Sequence, residues 1–248
     1  CCCSSCSSCG IFCCFGTGWA IDGELSLRFP VIYNYLYSTK SNNDWFISGD
    51  SGAGYLNPTL LFPNATTGKR GESNITTSGA AVWQQWNEHF YGKFDVSFSG
   101  FLINGDAGVL TNESLNMYTS FSPDGVVVST DHDPHQHDTP PCFEQNNGGG
   151  WVLNQSLPVL HHVGDFNANA SANAQYLKSM VDKDATAPDM QHRSSFYVLR
   201  TILKSASYMS DTVEAVKKAL PALKFVDPYT MGLLVKCESG AIDCTLKK

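Results

Sequence analysis

Apolar and polar positions change their period several times along this chain, and each change marks an element. Glu24–Tyr37 gathers aromatic and aliphatic residues on one side at helical spacing, and Pro30 must stand at a helix start or kink the helix. Ala81–Tyr91 repeats that spacing with Trp83, Trp86 and Phe90, which predicts an aromatic face on a core. Short apolar runs closed by turn-forming residues read as strands: Trp45–Ser48, Phe94–Asn104, Gly125–Ser129, Pro158–His162, Phe196–Leu203 and Leu223–Val226. Further helices are predicted over Ala170–Asp182, over Ser210–Leu220 with Ser210 or Asp211 as cap, and over Tyr229–Lys236. Leu60–Gly79 is turn-rich and reads as a solvated loop. Strands alternating with helices define an α/β fold, layered or incompletely barrel-like, with a mostly parallel sheet. Too few strand–helix pairs are legible for a whole barrel.

One strand end stands out. Trp45–Pro58, WFISGDSGAGYLNP, runs from an apolar strand into small and turn-forming residues, then Tyr55 and a proline stop. Gly49, Gly52 and Gly54 allow backbone dihedrals and close approaches that a Cβ would forbid, while Asp50, Ser51 and Tyr55 place polar groups on the same loop. Ligands of parallel α/β folds usually sit at such strand ends. A phosphate cradle is disfavoured, because no Lys or Arg follows the glycines and Pro58 opposes a Walker-type helix start.

Composition narrows the partners. The chain has 248 residues, 42% of them hydrophobic, which is length enough for a large core. A formal charge of −7 and only 16 basic residues argue against a nucleic-acid or anionic-membrane partner, and a neutral ligand such as a sugar stays compatible. No run of about 20 apolar residues predicts a membrane span. Five Asn-X-Ser/Thr sequons, at Asn64, Asn74, Asn112, Asn154 and Asn169, point to the secretory route, so a secreted or lysosomal-lumen glycoprotein is expected. The opening holds seven cysteines within fourteen residues and matches no paired zinc spacing, so residues 1–18 are set aside as a low-complexity leader. Cys237 and Cys244 are spaced to close a small disulfide loop within a tail at 237–248.

The segment Gly52-Ala53-Gly54-Tyr55-Leu56-Asn57-Pro58 resembles the signature of the GxGYxYP family of putative glycoside hydrolases. Gly52, Gly54, Tyr55 and Pro58 match, and Asn57 stands where the family has its second tyrosine. Trp19, Pro30, Tyr35 and Asn43-Asp44-Trp45-Phe46 are similar to the family's approach to the signature. Phe101–Gly105, Phe196–Arg200 and Phe225–Thr230 are similar to later family segments. The resemblance implies a carbohydrate substrate, no cofactor, and an α/β domain over residues 19–236 that is the C-terminal part of a larger enzyme. An upstream region packing on this domain is then expected, with an exposed sheet edge where it is absent.

Glycoside hydrolysis needs two carboxyl groups across the scissile bond. Asp50, Asp106 and Asp131 each follow a predicted strand, on what would be one edge of a parallel sheet, and are the candidate catalytic residues. Each alone also suits a plain turn. Tyr55 offers a stacking surface for a sugar ring, and Ser51, Asn57, Asn104 and Arg200 complete the candidate substrate contacts. Arg200, inside a predicted strand, needs an acidic partner and would either orient a catalytic carboxylate or close a structural ion pair. Asp131–Asp138 concentrates six potential metal ligands, including His132, His135 and His137, without an established spacing. It reads first as a solvated His-rich insertion, with a metal-dependent deacetylase as the alternative; a non-catalytic glycan-binding module is the other rival. Gly49-Asp50-Ser51-Gly52 superficially matches a serine-protease nucleophile, but no accompanying His and Asp segments support it.

Overall fold

A computed structural model describes residues 17–63, 75–103, 110–129, 149–186 and 196–244. Among them seven strands form one sheet: β1 (Thr17–Ile21), β2 (Asp44–Ser48), β3 (Phe98–Leu102), β4 (Gly125–Ser129), β5 (Gly150–Leu153), β6 (Leu157–Asp165) and β7 (Val198–Arg200). The described residues also form the helices α1 (Pro30–Thr39), α2 (Ala80–Phe94), α3 (Asn112–Asn116), α4 (Ala170–Ala185), α5 (Ala206–Ala219) and α6 (Pro228–Glu238). Strand order is β1-β2-β3-β4-β6, with both β5 and β7 on the far edge of β6. All of these pairings are parallel except β5 with β6. Every strand but β5 therefore delivers its C-terminal end to one edge of an open sheet, the edge where parallel folds build sites.

The period-two pattern explains why both faces are covered. Phe46, Val126, Val128 and Val159 join one cluster with Trp83 and Phe90 of α2 and with Leu115 and Tyr118. Their alternating neighbours Ile47, Phe98, Val127 and Leu160 pack on the other face with Val235 of α6. Close seating of α6 depends on Gly232: a Cβ there would lie 1.9 Å from the Asp124 carbonyl oxygen. A third cluster joins α4 and α5 around Phe166, Leu177 and Val216. β6 is the long central strand, buried from Leu157 to Val163, because it is paired on both sides and covered on both faces.

Several boundaries move from their sequence positions. Pro30 stands at the first turn of α1 and a separate 3-10 turn covers Gly23–Leu27, so the Glu24–Tyr37 run is two elements. Phe94 closes α2 rather than opening β3, because Asp95 adopts a left-handed cap at φ 50°. Ser205, not Ser210 or Asp211, caps α5 by accepting from the Tyr208 N–H. β7 is only three residues long, with Leu203 fully exposed at φ 54°. Leu223–Val226 is no strand; Leu223 and Phe225 pack instead on the α4–α5 cluster. β1 takes in Thr17 and Gly18, which the sequence pattern puts in the leader. Cys237 and Cys244 form the expected disulfide.

α1 leaves an apolar surface open. Val31, Ile32 and Tyr35 are exposed, as are Leu27 and Phe29 just before it. The helix follows β1, the margin of the sheet, in the chain. No helix among the described residues is long and apolar enough to cross a membrane.

Candidate active site at the strand ends

The loop after β2 is held by its own main chain. Asp50 and Ser51 both adopt positive φ, 45° and 68°, a conformation that costs non-glycine residues on the order of 1 kcal/mol or more each. Fully buried Ser51 is bound from three sides. Its N–H donates to the Phe101 carbonyl at 2.7 Å, its hydroxyl accepts from the Ile103 N–H at 2.8 Å, and its carbonyl accepts from the Tyr118 hydroxyl at 2.6 Å. Gly52, at φ 118°, admits the Asn87 side chain: a Cβ there would lie 2.1 Å from Asn87 Oδ1, which instead accepts the Ala53 N–H at 2.8 Å. Asn87 in turn donates to the Trp83 carbonyl at 2.8 Å. Beyond this clamp Tyr55 stands 75% exposed, while Asn57 turns inward and accepts from the Thr59 N–H at 2.9 Å to start a 3-10 turn at Pro58.

Two carboxyl groups meet this loop from the end of β1. Asp22 has one oxygen, Oδ1, buried with no hydrogen-bond partner among the described residues. Burial, reinforced by the charges of Glu24 and Asp50, pushes its pKa up to about 6, against a smaller opposing effect of the Glu24 N–H. Glu24 Oε2 lies 3.9 Å from where a Cβ on Gly54 would stand, so its carboxyl borders the glycine loop. Tyr33 donates to the Asp22 carbonyl, and burial together with the charges of Asp22 and Glu24 pushes its phenol up to about 12. Asp50 is raised by burial too, with the Arg200 charge pulling the other way. The edge near β1 and β2 is therefore electronegative and half-dry, which keeps Asp22 protonated into the mildly acidic range, well above an ordinary aspartate.

At the ends of β6 and β7 the charges are paired. Arg200 Nε and Nη2 donate to the two carboxylate oxygens of Asp165 at 2.9 and 3.1 Å, and the guanidinium lies 3.9 Å over the Phe101 ring. His162 Nε2 reaches Asp165 Oδ1 at 3.0 Å. Burial works against the Asp165 charge, but the bonds to Arg200 and the Arg200 and His162 charges outweigh it and hold the carboxyl below its usual range. His162 is kept from protonating by burial and by the Arg200 charge. Its neighbour His161 lies beside the Trp151 ring and is pushed down to about 4 by burial.

A family model described as "GxGYxYP putative glycoside hydrolase C-terminal domain" matches residues 14–236. The chain belongs to the GxGYxYP family. No curated protein matches it. The fold is similar to a solved structure of a putative hydrolase from Bacteroides thetaiotaomicron, with a TM-score of 0.55 and 13% identity over 92% of this chain. The chain spans 39% of that protein's length.

Within the GxGYxYP domain, the structure brings Asp50, Ser51, Tyr55 and Arg200 to one edge of the sheet. Asp50 is partly exposed there and Tyr55 largely so. Ser51 and Asn57, expected to touch substrate, are buried and spent on main-chain hydrogen bonds that shape the loop. Arg200 is engaged by Asp165 rather than standing ready for a ligand. Asn104, Asp106, Asp131, His132, His135 and His137 lie outside the described residues. Among the described residues no group of three or more His, Cys, Asp or Glu is arranged to hold a metal ion.

Sequence reasoning passed over Asp22, Glu24 and Asp165, and took His162 only as the end of a strand and a possible metal ligand. The signal for two of them was present. Asp22 follows the apolar run Trp19-Ala20-Ile21, and Asp165 ends the run from Leu157, so the strand-end rule that selected Asp50 selects both once β1 is recognised and β6 is carried to its full length.

Proposed function

We propose that this domain hydrolyses O-glycosidic bonds at the C-terminal ends of β1 and β2, with Asp22 as general acid and Asp50 as the base or nucleophile. One observation carries the assignment: Asp22 is a half-buried carboxyl with an unbonded oxygen whose pKa is lifted to about 6, beside Asp50 on a loop held in left-handed backbone. Glycosidases need such a division, a carboxyl kept protonated to meet the leaving oxygen and an ionised one opposite. Tyr55 supplies an exposed ring on which a pyranose can stack. Asp106 and Asp131 remain candidate contributors through their places in the chain after β3 and β4. The family description supports a carbohydrate substrate. Exposed sequons at Asn112, Asn154 and Asn169 fit a secreted or lysosomal-lumen glycoprotein.

The test is turnover of oligosaccharides by the Asp22→Asn and Asp50→Asn variants. Hydrolysis that falls by about 100-fold or more in each, with folding intact, is expected. Unchanged turnover in both variants overturns the assignment. Sugar binding by the unmodified chain without any turnover would instead identify a glycan-binding module.

A further inference from the structure

We propose that Arg200 is a positioning residue for Asp50: clamped by Asp165 and laid on the Phe101 ring, it fixes the glycine loop and faces Asp50 with a stationary positive charge. The proposal rests on the catalytic role assigned to Asp50.

A continuous set of contacts links the two ends of the edge. Asp165 takes two donors of the guanidinium, at 2.9 and 3.1 Å, which fixes its plane. That group rests 3.9 Å from the Phe101 ring centre, and His162 meets the same ring edge-on at 5.7 Å. Phe101 is in turn bound through its carbonyl to the N–H of Ser51, the residue following Asp50, and Ile103 holds the Ser51 hydroxyl. The guanidinium thus rests on the strand that anchors the Asp50 loop.

The charges around Asp50 give the cation its task. Asp22, at the end of β1, is held up by burial and by the charges of Glu24 and Asp50, so Asp50 has an acidic neighbour. Arg200, from β7, opposes burial and favours ionised Asp50. His162 and Asp165, on β6, stand against Arg200, and burial and the Arg200 charge hold His162 below its usual range, so Arg200 is the standing positive charge. Lysine would keep the charge but lose the planar two-point grip and the stacking.

The experiment titrates the Asp50 carboxyl by carbon-detected NMR in the unmodified chain and in Arg200→Met, Arg200→Lys and Phe101→Leu, with oligosaccharide turnover measured across pH. In Arg200→Met the Asp50 titration moves to higher pH, and the acidic limb of the turnover profile follows it. In Arg200→Lys the titration stays near that of the unmodified chain while kcat falls about 10-fold with KM little changed. Phe101→Leu, which keeps the Arg200–Asp165 pair, lowers kcat in the same way and guards against loss of folding in Arg200→Met. An Asp50 titration that does not move in Arg200→Met, or full kcat in both Arg200→Lys and Phe101→Leu, overturns the proposal. Because the titration needs no substrate, a chain that cleaves no glycan yet shows the Asp50 shift rejects the catalytic reading and retains the electrostatic link.

Discussion

Two carboxyl groups on the same edge of the sheet are treated in opposite ways. Asp165, at the end of β6, is burdened by burial but is grasped by both arms of Arg200 and approached by His162, so it stays ionised. Asp22, at the end of β1, carries the same burden with one oxygen unbonded and two acidic neighbours, so it holds its proton up to a pH of about 6. The contrast separates what the fold builds for itself from what it builds for something else. A carboxyl that a fold desolvates and pairs is part of the frame, whereas one that it desolvates and leaves short of partners is available for proton transfer.

The largest effect should come from breaking the unpaired side. Asp50→Asn or Asp22→Asn should lower glycan turnover by about 100-fold or more, measured as kcat/KM. On the paired side, Asp165→Asn removes a charge from a two-point clamp and should leave measurable turnover.

Stability should move in the opposite sense at the two carboxyls. Asp22 has a folded pKa of about 6 against an ordinary 3.8, so the native state binds more protons than the unfolded chain between those values. Its contribution is favourable below a pH of about 4 and is lost as pH rises to about 6. Asp22→Asn should therefore stabilise the protein at neutral pH by about 1 to 2 kcal/mol, after discounting for solvent screening, and should do so very little at a pH of about 4. Asp165→Asn should destabilise at neutral pH, because Arg200 then loses its counter-charge. Thermal melts of both variants at the two pH values decide the matter, and the contrast fails if both shift the same way.

A third perturbation probes the frame under the loop. Gly52→Ala forces a methyl group against Asn87 Oδ1 in left-handed backbone and should cost about 2 to 3 kcal/mol. Asn87→Ala leaves the Ala53 N–H unbonded inside the protein and should cost about 1 to 3 kcal/mol. Denaturant midpoints measure both. The smallest effects belong to exposed side chains. Tyr55→Ala should leave stability within about 0.5 kcal/mol and raise KM several-fold. Val31→Asp with Ile32→Asp should likewise spare folding while reducing self-association, read by sedimentation, if the open face of α1 is normally covered by another part of the polypeptide.

Much of this layout is legible in the sequence, for reasons that differ by element. Gly125–Ser129 and the Trp83–Phe90 face announce themselves through dense β-branched residues and helical aromatic spacing, and the alternation of strands with helices yields the parallel sheet. β1 is harder to see, since five residues beside a cysteine-rich run carry little periodicity, and Asp22 is lost with it. The Phe94–Asn104 run misleads because its aromatic content continues across a helix end, where only the left-handed cap at Asp95 separates α2 from β3. Ser51 and Asn57 look like ligand contacts because polar loop residues often are. Their burial is decided by tertiary partners, Tyr118 and Ile103 for one and the main chain at Thr59 for the other, which no local pattern reveals. Arg200's need for an acid is predictable, but its partner lies 35 residues away in sequence.

A crystal structure of the Asp50→Asn variant with an oligosaccharide bound decides whether the unpaired carboxyls form the catalytic pair. A sugar should then stack on Tyr55, with a glycosidic oxygen within hydrogen-bond reach of Asp22 and the substituted side chain at position 50 on the opposite side of the scissile bond. An oligosaccharide bound away from the ends of β1 and β2, or one bound there with no glycosidic oxygen near Asp22, would contradict it.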